Sequence, residues 1–267
     1  MTDFPADSSL VERIVPSPNH DERQGGDPDM ILLHYTGMQS ADEALKRLCD
    51  PEAKVSSHYL VFENGSIVQL VPEALRARHA GVSSWAGETD INSRSIGIEI
   101  VNPGHELGYP DFPKRQIAAV ITLCRGILAR RPIKRERVLA HSDVAPSRKQ
   151  DPGEKFPWRL LAESGVGLWV EPVSITDWLS LVPGDTGQNV TDLQKSLAEL
   201  GYGVPVNGDY DETTKLVVTA FQRHFRPGQI DGMADTSTRE TLRKLLEERS
   251  KPEAGKKLQA KDTKRSP

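Results

Sequence analysis

The chain has 267 residues, of which 37% are hydrophobic and 27% charged, a composition typical of globular domains and unlike that of fibrous proteins. Its formal net charge of -4 provides no overall basic field, so we expect no nucleic-acid partner. No apolar run approaches the roughly 18–20 residues that a transmembrane helix requires, so we expect no transmembrane segment.

The first 28 residues are polar and contain several proline, aspartate and glycine residues, and we interpret 1–28 as an extended N-terminal arm. A secretory signal has a basic start, an apolar stretch and a small-residue cleavage site, and this pattern is not found here. We therefore expect a cytoplasmic protein. The alternative is a mature chain, without its signal, that acts in the periplasm or at the cell wall.

Short apolar runs alternate with amphipathic segments between residues 29 and 170, which predicts an α/β domain with a central sheet flanked by helices. Asn64-Gly65 is a strong hairpin signal, and Ser40 is a suitable N-cap for a helix. The predicted strands are Met30–Tyr35, His58–Phe62, Ser66–Leu70, Ser95–Val101 and Arg137–Ala140. The predicted helices are Ala41–Cys49 and Pro113–Arg130.

The composition changes again toward the end of the chain. Residues 171–184 carry two prolines and predict a linker, and residues 185–249 predict a small three-helix domain. Within it, Gly208–Thr214 (GDYDETT) and Gly232–Thr238 (GMADTST) match at Gly, Asp and Thr, and each precedes a helical stripe of apolar residues. Residues 250–267 are rich in lysine and almost free of apolar side chains, so we expect a disordered basic tail.

Three residues carry side chains that suit a metal. His34 and His141 each end a predicted strand, where ligands gather in open α/β sheets, and Asp151 follows in a proline-containing loop that can return toward them. Two imidazoles and one carboxylate leave a fourth tetrahedral position for water, which is the composition of a catalytic zinc site. The spacing is not a compact signature, and the residues alone leave open a structural histidine and a turn aspartate instead.

Two further residues suit catalysis. Gly97 and Glu99 share one face of the strand Ser95–Val101, and exposed backbone beside a carboxylate would suit a substrate groove with a general base. Lys149 precedes Asp151 by two residues and could stabilise an oxyanion near a metal. The alternatives are a solvated glutamate on an amphipathic strand and a solvated surface lysine.

Five short motifs follow one another along the first part of the chain. They are Val55–Tyr59 (VSSHY), Gly65–Val71 (GSIVQLV), Arg76–Gly81 (RARHAG), Ser95–Glu99 (SIGIE) and His141–Gly153 (HSDVAPSRKQDPG). In this order they resemble the type 2 N-acetylmuramoyl-L-alanine amidases, the AmpD/AmiD group, over roughly residues 10–170. Several ordered motifs that match together are more specific than any one of them.

The resemblance implies a mixed sheet and a Zn²⁺ ion bound by His34, His141 and Asp151. It also implies that Glu99 is the base that activates the attacking water and that Lys149 stabilises the oxyanion. The expected reaction is hydrolysis of the amide between the lactyl group of MurNAc, or anhydro-MurNAc, and L-Ala of peptidoglycan stem peptides. Such a reaction serves cell-wall turnover or recycling.

The same resemblance places His79 in the groove near the substrate. We expect Arg78 and Gly97 to contact the substrate with it. Arg78 stands where family members often have tryptophan, and this departure can alter the contacts with the muropeptide but should not affect the metal. The sequence does not indicate an oligomeric state.

Residues 185–249 separately resemble the peptidoglycan-binding module that is often fused to cell-wall hydrolases. The matching pieces are Val190–Gln194, Leu200–Tyr202, Val206–Tyr210, Ala220–Gln222 and Asp231-Gly232. Three other functions stay open: a peptidoglycan receptor that binds without cutting, a zinc carboxypeptidase acting on the stem peptide, and an adaptor built around the C-terminal module.

Overall fold

The computed structural model describes residues 4–174 and 180–251. The predicted linker at 171–184 falls partly, and the predicted tail at 250–267 almost entirely, outside these residues. No helix in the two described ranges is long and apolar enough to cross a bilayer.

Within the described residues the chain forms eight β-strands and eight α-helices. The strands are β1 (Arg13–Ile14), β2 (His20–Glu22), β3 (Met30–Tyr35), β4 (Tyr59–Val61), β5 (Ile67–Gln69), β6 (Leu75–Ala77), β7 (Ser95–Ile100) and β8 (Val138–Ala140). The helices are α1 (Ala41–Cys49), α2 (Ile91–Arg94), α3 (Lys114–Arg130), α4 (His141–Val144), α5 (Trp158–Glu163), α6 (Gln188–Leu200), α7 (Glu212–Phe225) and α8 (Thr236–Arg249). Short 3₁₀ helices occupy Pro51–Ala53, His105–Leu107 and Arg135–Arg137.

Six of these strands form the central sheet, in the order β1-β5-β4-β7-β3-β8. The β4–β5 pair is antiparallel and the other neighbouring pairs are parallel, so the sheet is mixed, as the resemblance implied. The five predicted strands agree with the observed ones to within one residue at each end. The central strands β3 and β7 run side by side in a register that places His34 opposite Glu99.

Local interactions explain why the predicted elements form. The Ser40 hydroxyl accepts the backbone N–H of Glu43, which caps the first turn of α1. Gly65 has φ 92° in the turn between β4 and β5, a conformation that favours glycine. Helix α3 buries one face against the sheet, and Gln116 on that face donates to the carbonyl oxygen of Val61 at 3.1 Å.

The N-terminal arm is bound to the domain. Strand β1 extends the central sheet by pairing in parallel with β5, and β2 pairs antiparallel with β6 in a second, two-stranded sheet. Asn19, between them, donates its side-chain amide to the carbonyl oxygens of Asp50 and Val55 at 2.7 and 2.9 Å. The backbone of the arm therefore pairs in both sheets.

Helices α6, α7 and α8 form the three-helix region near the end of the chain. Two buried glutamines explain the sequence repeat in it. Gln194 accepts the backbone N–H groups of Asn207 and Gly208 at 3.1 and 2.9 Å. Gln222 makes the equivalent bonds to Asp231 and Gly232 at 3.0 and 2.8 Å, so each repeated loop is fixed to the preceding helix by one amide side chain.

The three-helix region packs directly on the sheet domain. The rings of Trp85 and Tyr202 meet edge to face with centroids 4.9 Å apart, and Trp158 stacks on His224 at 3.7 Å. One hydrophobic cluster includes Met30 and Leu32 of β3 together with the apolar faces of α6, α7 and α8. The interface is therefore part of the hydrophobic core.

Candidate metal centre and active-site cleft

Strand order and one loop bring the three predicted ligands together. His34 lies near the carboxyl end of β3, and His141 directly follows β8, the parallel neighbour of β3. Parallel neighbours end at the same edge of a sheet, so both imidazoles reach one place. The following loop returns Asp151 to them, because the Ser142 N–H binds the Asp151 carbonyl oxygen at 3.0 Å.

The ligand atoms form a compact triangle. His34 Nδ1 lies 2.9 Å from His141 Nδ1 and 3.1 Å from Asp151 Oδ2, and His141 Nδ1 lies 3.0 Å from the same carboxylate oxygen. Donor atoms around a tetrahedral ion with bonds of about 2.0–2.1 Å are about 3.3 Å apart. All three side chains are buried, and the group could hold a metal ion. The chemical types of these three donor atoms and the distances between them therefore fit a bound cation.

Both imidazoles are oriented through their second nitrogen. His141 Nε2 lies 3.0 Å from the carbonyl oxygen of Ala80, and His34 Nε2 lies 3.0 Å from His79 Nδ1. Metal-binding histidines commonly donate their other N–H to a fixed acceptor, which sets the tautomer. With its proton on Nε2, each imidazole presents an unprotonated Nδ1 to the candidate metal position.

His79 is therefore a neighbour of a ligand as well as a residue of the cleft. Its ring covers Gly97, where an added Cβ would lie 2.5 Å from the ring carbons. Asn92 fixes the backbone around it by accepting the N–H groups of His79 and Ala80 at 2.9 and 2.8 Å. The absent side chain at Gly97 makes room for His79, and the backbone at Gly97 is buried.

Electrostatics favour metal binding at this centre. Burial, with a further contribution from neighbouring His141, lowers the pKa of His34 to about 4, so its imidazole is neutral near pH 7. Burial alone would raise the pKa of Asp151, but the neighbouring His141 and His34 outweigh it, and the pKa is lowered. A neutral His34 and an ionised Asp151 are the forms that bind metal.

Glu99 lies directly opposite the ligand His34 in the β3–β7 strand pair. Its Oε2 is buried and has no hydrogen-bond partner among the described residues. Burial raises its pKa well above the usual range, the charge of Asp151 adds to this, and Lys149 opposes it. A carboxylate with one inaccessible oxygen and a raised pKa, in the same cleft as the candidate metal ligands, suits a general base.

These side chains line one cleft of about 360 Å³. All of the predicted site residues except Gly97 line it, and Lys149 and Arg78 lie at its wall with the ligands and Glu99. The Arg78 side chain is 35% exposed and pairs with Asp21 at 2.7 Å. The wall also contains residues to which the sequence reasoning gave no role, among them Tyr35, Arg47, His105 and Arg148.

His58 is another residue whose role the sequence did not reveal. It lies in the VSSHY motif, is buried, and accepts the backbone N–H of Gly97 at 2.9 Å through Nδ1. Its Nε2 lies 3.0 Å from the carbonyl oxygen of Leu75. Burial, together with the charge of Arg23, lowers its pKa to about 3. His58 is thus a neutral residue that fixes the backbone of β7 two residues before Glu99.

Fold and cleft together are those of an α/β protein with a candidate metal centre in its cleft. The family described as N-acetylmuramoyl-L-alanine amidase matches residues 24–154, and the family described as putative peptidoglycan binding domain matches residues 186–242. The chain is 40% identical over 230 residues to the N-acetylmuramoyl-L-alanine amidase AmiD of Escherichia coli strain K12, covering 82% of each chain.

Solved structures agree with the sequence matches. A complex of E. coli AmiD with the substrate anhydro-N-acetylmuramic acid-L-Ala-D-gamma-Glu-L-Lys has a TM-score of 0.70 and 39% identity, and covers 85% of this chain and 93% of that one. AmpDh3 of Pseudomonas aeruginosa, in complex with anhydromuramic pentapeptide, has a TM-score of 0.69 and 32% identity, covering 84% and 93%. The chain belongs to the N-acetylmuramoyl-L-alanine amidase family.

Proposed function

We propose that this amidase is zinc-dependent and hydrolyses the amide between the lactyl group of MurNAc, or anhydro-MurNAc, and L-Ala of peptidoglycan stem peptides. The observation that carries the proposal is the unpartnered Oε2 of Glu99 in the same cleft as three converging ligand atoms. The similarity to AmiD in complex with an anhydro-muropeptide supports the substrate class.

His34, His141 and Asp151 are the residues that would hold Zn²⁺. Two nitrogen ligands and one oxygen ligand are the composition of a catalytic zinc site that keeps a fourth position open. When bound, zinc would supply Lewis acidity, which polarises a carbonyl oxygen and makes a water molecule more acidic.

Glu99 carries the proton transfers. Its carboxylate takes a proton from the water as the water oxygen adds to the amide carbonyl carbon. The same carboxyl group then gives that proton to the nitrogen of L-Ala as the carbon–nitrogen bond breaks. The products are a lactyl carboxylate and a peptide with a free amine. The raised pKa of Glu99 suits both steps, because the group must accept a proton and then release it.

Lys149 and the residues around the cleft position the substrate. The Lys149 ammonium opposes the pKa rise at Glu99, so its charge acts inside the cleft, where it would stabilise the oxyanion of the tetrahedral intermediate. Arg78, partly exposed at the wall and paired with Asp21, would contact the substrate there, and His79 would approach the substrate beside His34. Gly97 contributes through the space that it leaves for His79.

We assign catalysis to residues 29–170 and peptidoglycan binding to residues 185–249, joined by the linker at 171–184. A polymer-binding module is useful to an enzyme that meets intact cell wall, which favours the periplasm or the wall, whereas an enzyme restricted to released muropeptides would serve cytoplasmic recycling. Rates on purified sacculi and on soluble anhydro-muropeptide distinguish the two. A clear preference for sacculi supports wall contact, and activity only on the soluble substrate supports recycling.

The proposed reaction is tested by incubating zinc-loaded and chelator-treated protein with anhydro-MurNAc-L-Ala-D-γ-Glu-L-Lys and identifying the products by mass spectrometry. We expect the sugar and the intact tripeptide to separate, with zinc required. Binding of the substrate without cleavage would indicate a receptor instead, and loss of the last amino acid would indicate a carboxypeptidase.

A further inference from the structure

The segment that carries two of the three predicted ligands is fixed by a buried carboxylate. Asp143 lies two residues after His141 and is fully buried. Its Oδ2 accepts the backbone N–H of Ala140 at 2.8 Å, which closes the first turn of α4 around His141. The position of the His141 side chain therefore depends on where Asp143 is held.

Asp143 is held by the three-helix region. Tyr202 donates its hydroxyl to Asp143 Oδ1 at 2.7 Å, and His224 Nδ1 lies 2.6 Å from Oδ2. Both partners are buried, and they are separated from Asp143 by 59 and 81 residues in sequence. Leaving a buried carboxylate without donors strongly destabilises the fold. These two bonds therefore determine the position of the Asp143 side chain.

The same helix also reaches the other end of the ligand segment. Arg223, next to His224 in the last turn of α7, has its Nε 3.6 Å from Oε2 of Glu154, three residues beyond Asp151, which is a charge contact without a hydrogen bond. Glu154 in turn lies 3.1 Å from His105, whose other nitrogen lies 3.0 Å from the Tyr35 hydroxyl in the cleft. Neighbouring residues of α7 thus contact both ends of the segment from His141 to Glu154.

We propose that the three-helix region is a positioning part of the metal centre, in which Tyr202 and His224 hold Asp143 and the charge of Arg223 attracts Glu154. This role is additional to polymer binding, and it rests on the proposed zinc function. Tyr202, His224 and Arg223 touch neither the substrate nor the ligand atoms. They act through the backbone that carries His141 and Asp151. Loosening these contacts weakens zinc binding and lowers kcat, with little effect on KM.

The first test compares two tyrosine variants of the full chain. Tyr202→Phe removes the bond to Asp143, whereas Tyr210→Phe removes an equivalent buried bond to the Gly232 carbonyl oxygen, at 2.8 Å, within the same helical region. Loss of a direct partner of a metal ligand typically costs about 10–100-fold in metal affinity, and Tyr202 is one contact further away. We expect a loss of about 3–10-fold in Zn²⁺ affinity by chelator competition for Tyr202→Phe. We expect no loss for Tyr210→Phe.

A second pair of variants separates the effect of the His224 hydrogen bond from the effect of its ring stacking. His224→Asn keeps an N–H where Nδ1 stood, and His224→Leu removes it, while both lose the stacking on Trp158. We expect His224→Asn to retain more zinc affinity and more kcat than His224→Leu at a temperature where circular dichroism shows both variants folded.

The outcomes distinguish this inference from the proposed function. If the wild-type chain binds zinc and Tyr202→Phe matches Tyr210→Phe in zinc affinity and kcat, the inference is wrong and the amidase proposal stands. Equal zinc affinity of the two His224 variants contradicts it in the same way. A wild-type chain that binds no zinc overturns the proposed function, and the inference falls with it.

Discussion

Buried polar side chains have opposite surroundings in the cleft and in the three-helix region. The Gln194 amide in α6 lies at hydrogen-bond distance from five groups, four of them in the loop that follows the helix and the fifth the Thr214 hydroxyl in α7. Glu99 in β7 has an Oε2 that is equally inaccessible to solvent and has no partner among the described residues. The two side chains differ little in size, so the difference comes from what surrounds them.

This difference shows that burial of a polar side chain can either stabilise the fold or change the chemistry of the side chain. A satisfied buried amide stabilises one arrangement of the backbone, because losing it would leave several groups unpaired. An unsatisfied buried carboxylate costs stability, and its raised pKa gives it a chemical use that a solvated carboxylate lacks. Substitutions in the cleft should therefore remove activity, and substitutions at the two glutamines should remove stability.

The largest expected effect is at the ligands. Asp151→Ala leaves two histidines, which is too few for a catalytic zinc site, and we expect no measurable turnover and little bound zinc after dialysis. Zinc content can be measured by atomic emission. Chelator-treated wild-type protein should regain activity when zinc is added back, and the variant should not. Substantial activity in a zinc-free variant would contradict the ligand assignment.

Glu99→Gln should give the next largest loss. We expect kcat to fall by about 10²–10⁴-fold, because an amide cannot accept the proton of the water. Zinc content should stay at the wild-type level, and the melting temperature should be unchanged or higher, since a neutral side chain is easier to bury. Steady-state kinetics and calorimetry on one preparation test both halves. A variant with wild-type kcat would rule out Glu99 as the base.

Lys149→Met keeps the aliphatic stem and removes the ammonium. We expect kcat to fall by about 10²-fold with KM nearly unchanged, as for the loss of one oxyanion donor. Lys155→Met is a suitable control, because Lys155 lies in the same loop region but donates to the Tyr109 carbonyl oxygen and does not line the cleft. Similar rates for the two variants would argue against a role for Lys149 in the transition state.

Gln194→Leu tests the other side of the comparison. The backbone N–H groups of Asn207 and Gly208 lose their acceptor, and each such loss costs about 1–3 kcal/mol. We expect a lower melting temperature by differential scanning calorimetry, with kcat at 25 °C close to wild type while the protein is folded. If kcat fell strongly in a folded Gln194→Leu variant, stability and activity would not separate as proposed.

The smallest effect concerns pH. His58 has a folded-state pKa of about 3 against an ordinary value of 6.5, so the unfolded chain binds its proton more tightly. Its contribution to stability is present above pH 6.5 and is lost as the pH falls toward 3, on the order of a few kcal/mol. Urea unfolding between pH 7 and pH 4 should show a shallower decline for His58→Gln than for wild type. Equal slopes would contradict the lowered pKa.

How much of this could be read from the sequence depends on the range of the interactions. The strand Met30–Tyr35 and the helix Lys114–Arg130 follow from local periodicity and were predicted nearly to the residue. Strand β1 was not, because two residues, Arg13 and Ile14, carry no periodic signal and pair only through a partner more than 50 residues away.

The site shows the same limit. On their own the residues left His34, His141 and Asp151 open to structural explanations, and it was the ordered motifs, through family resemblance, that favoured a zinc centre. The structure brings the three together. The covering of Gly97 by His79 and the bonds of Asp143 to Tyr202 and His224 join residues far apart in sequence, and no local pattern marks them.

The most direct test of the account is hydrolysis of anhydro-MurNAc-L-Ala-D-γ-Glu-L-Lys by the zinc-loaded chain in ¹⁸O-water, with both products analysed by mass spectrometry. We expect one ¹⁸O atom in the lactyl carboxylate and an unlabelled tripeptide with a free L-Ala amine. Glu99→Gln should form these products at least about 10²-fold more slowly. Label in the peptide instead, or the same products from Glu99→Gln at the wild-type rate, would contradict it.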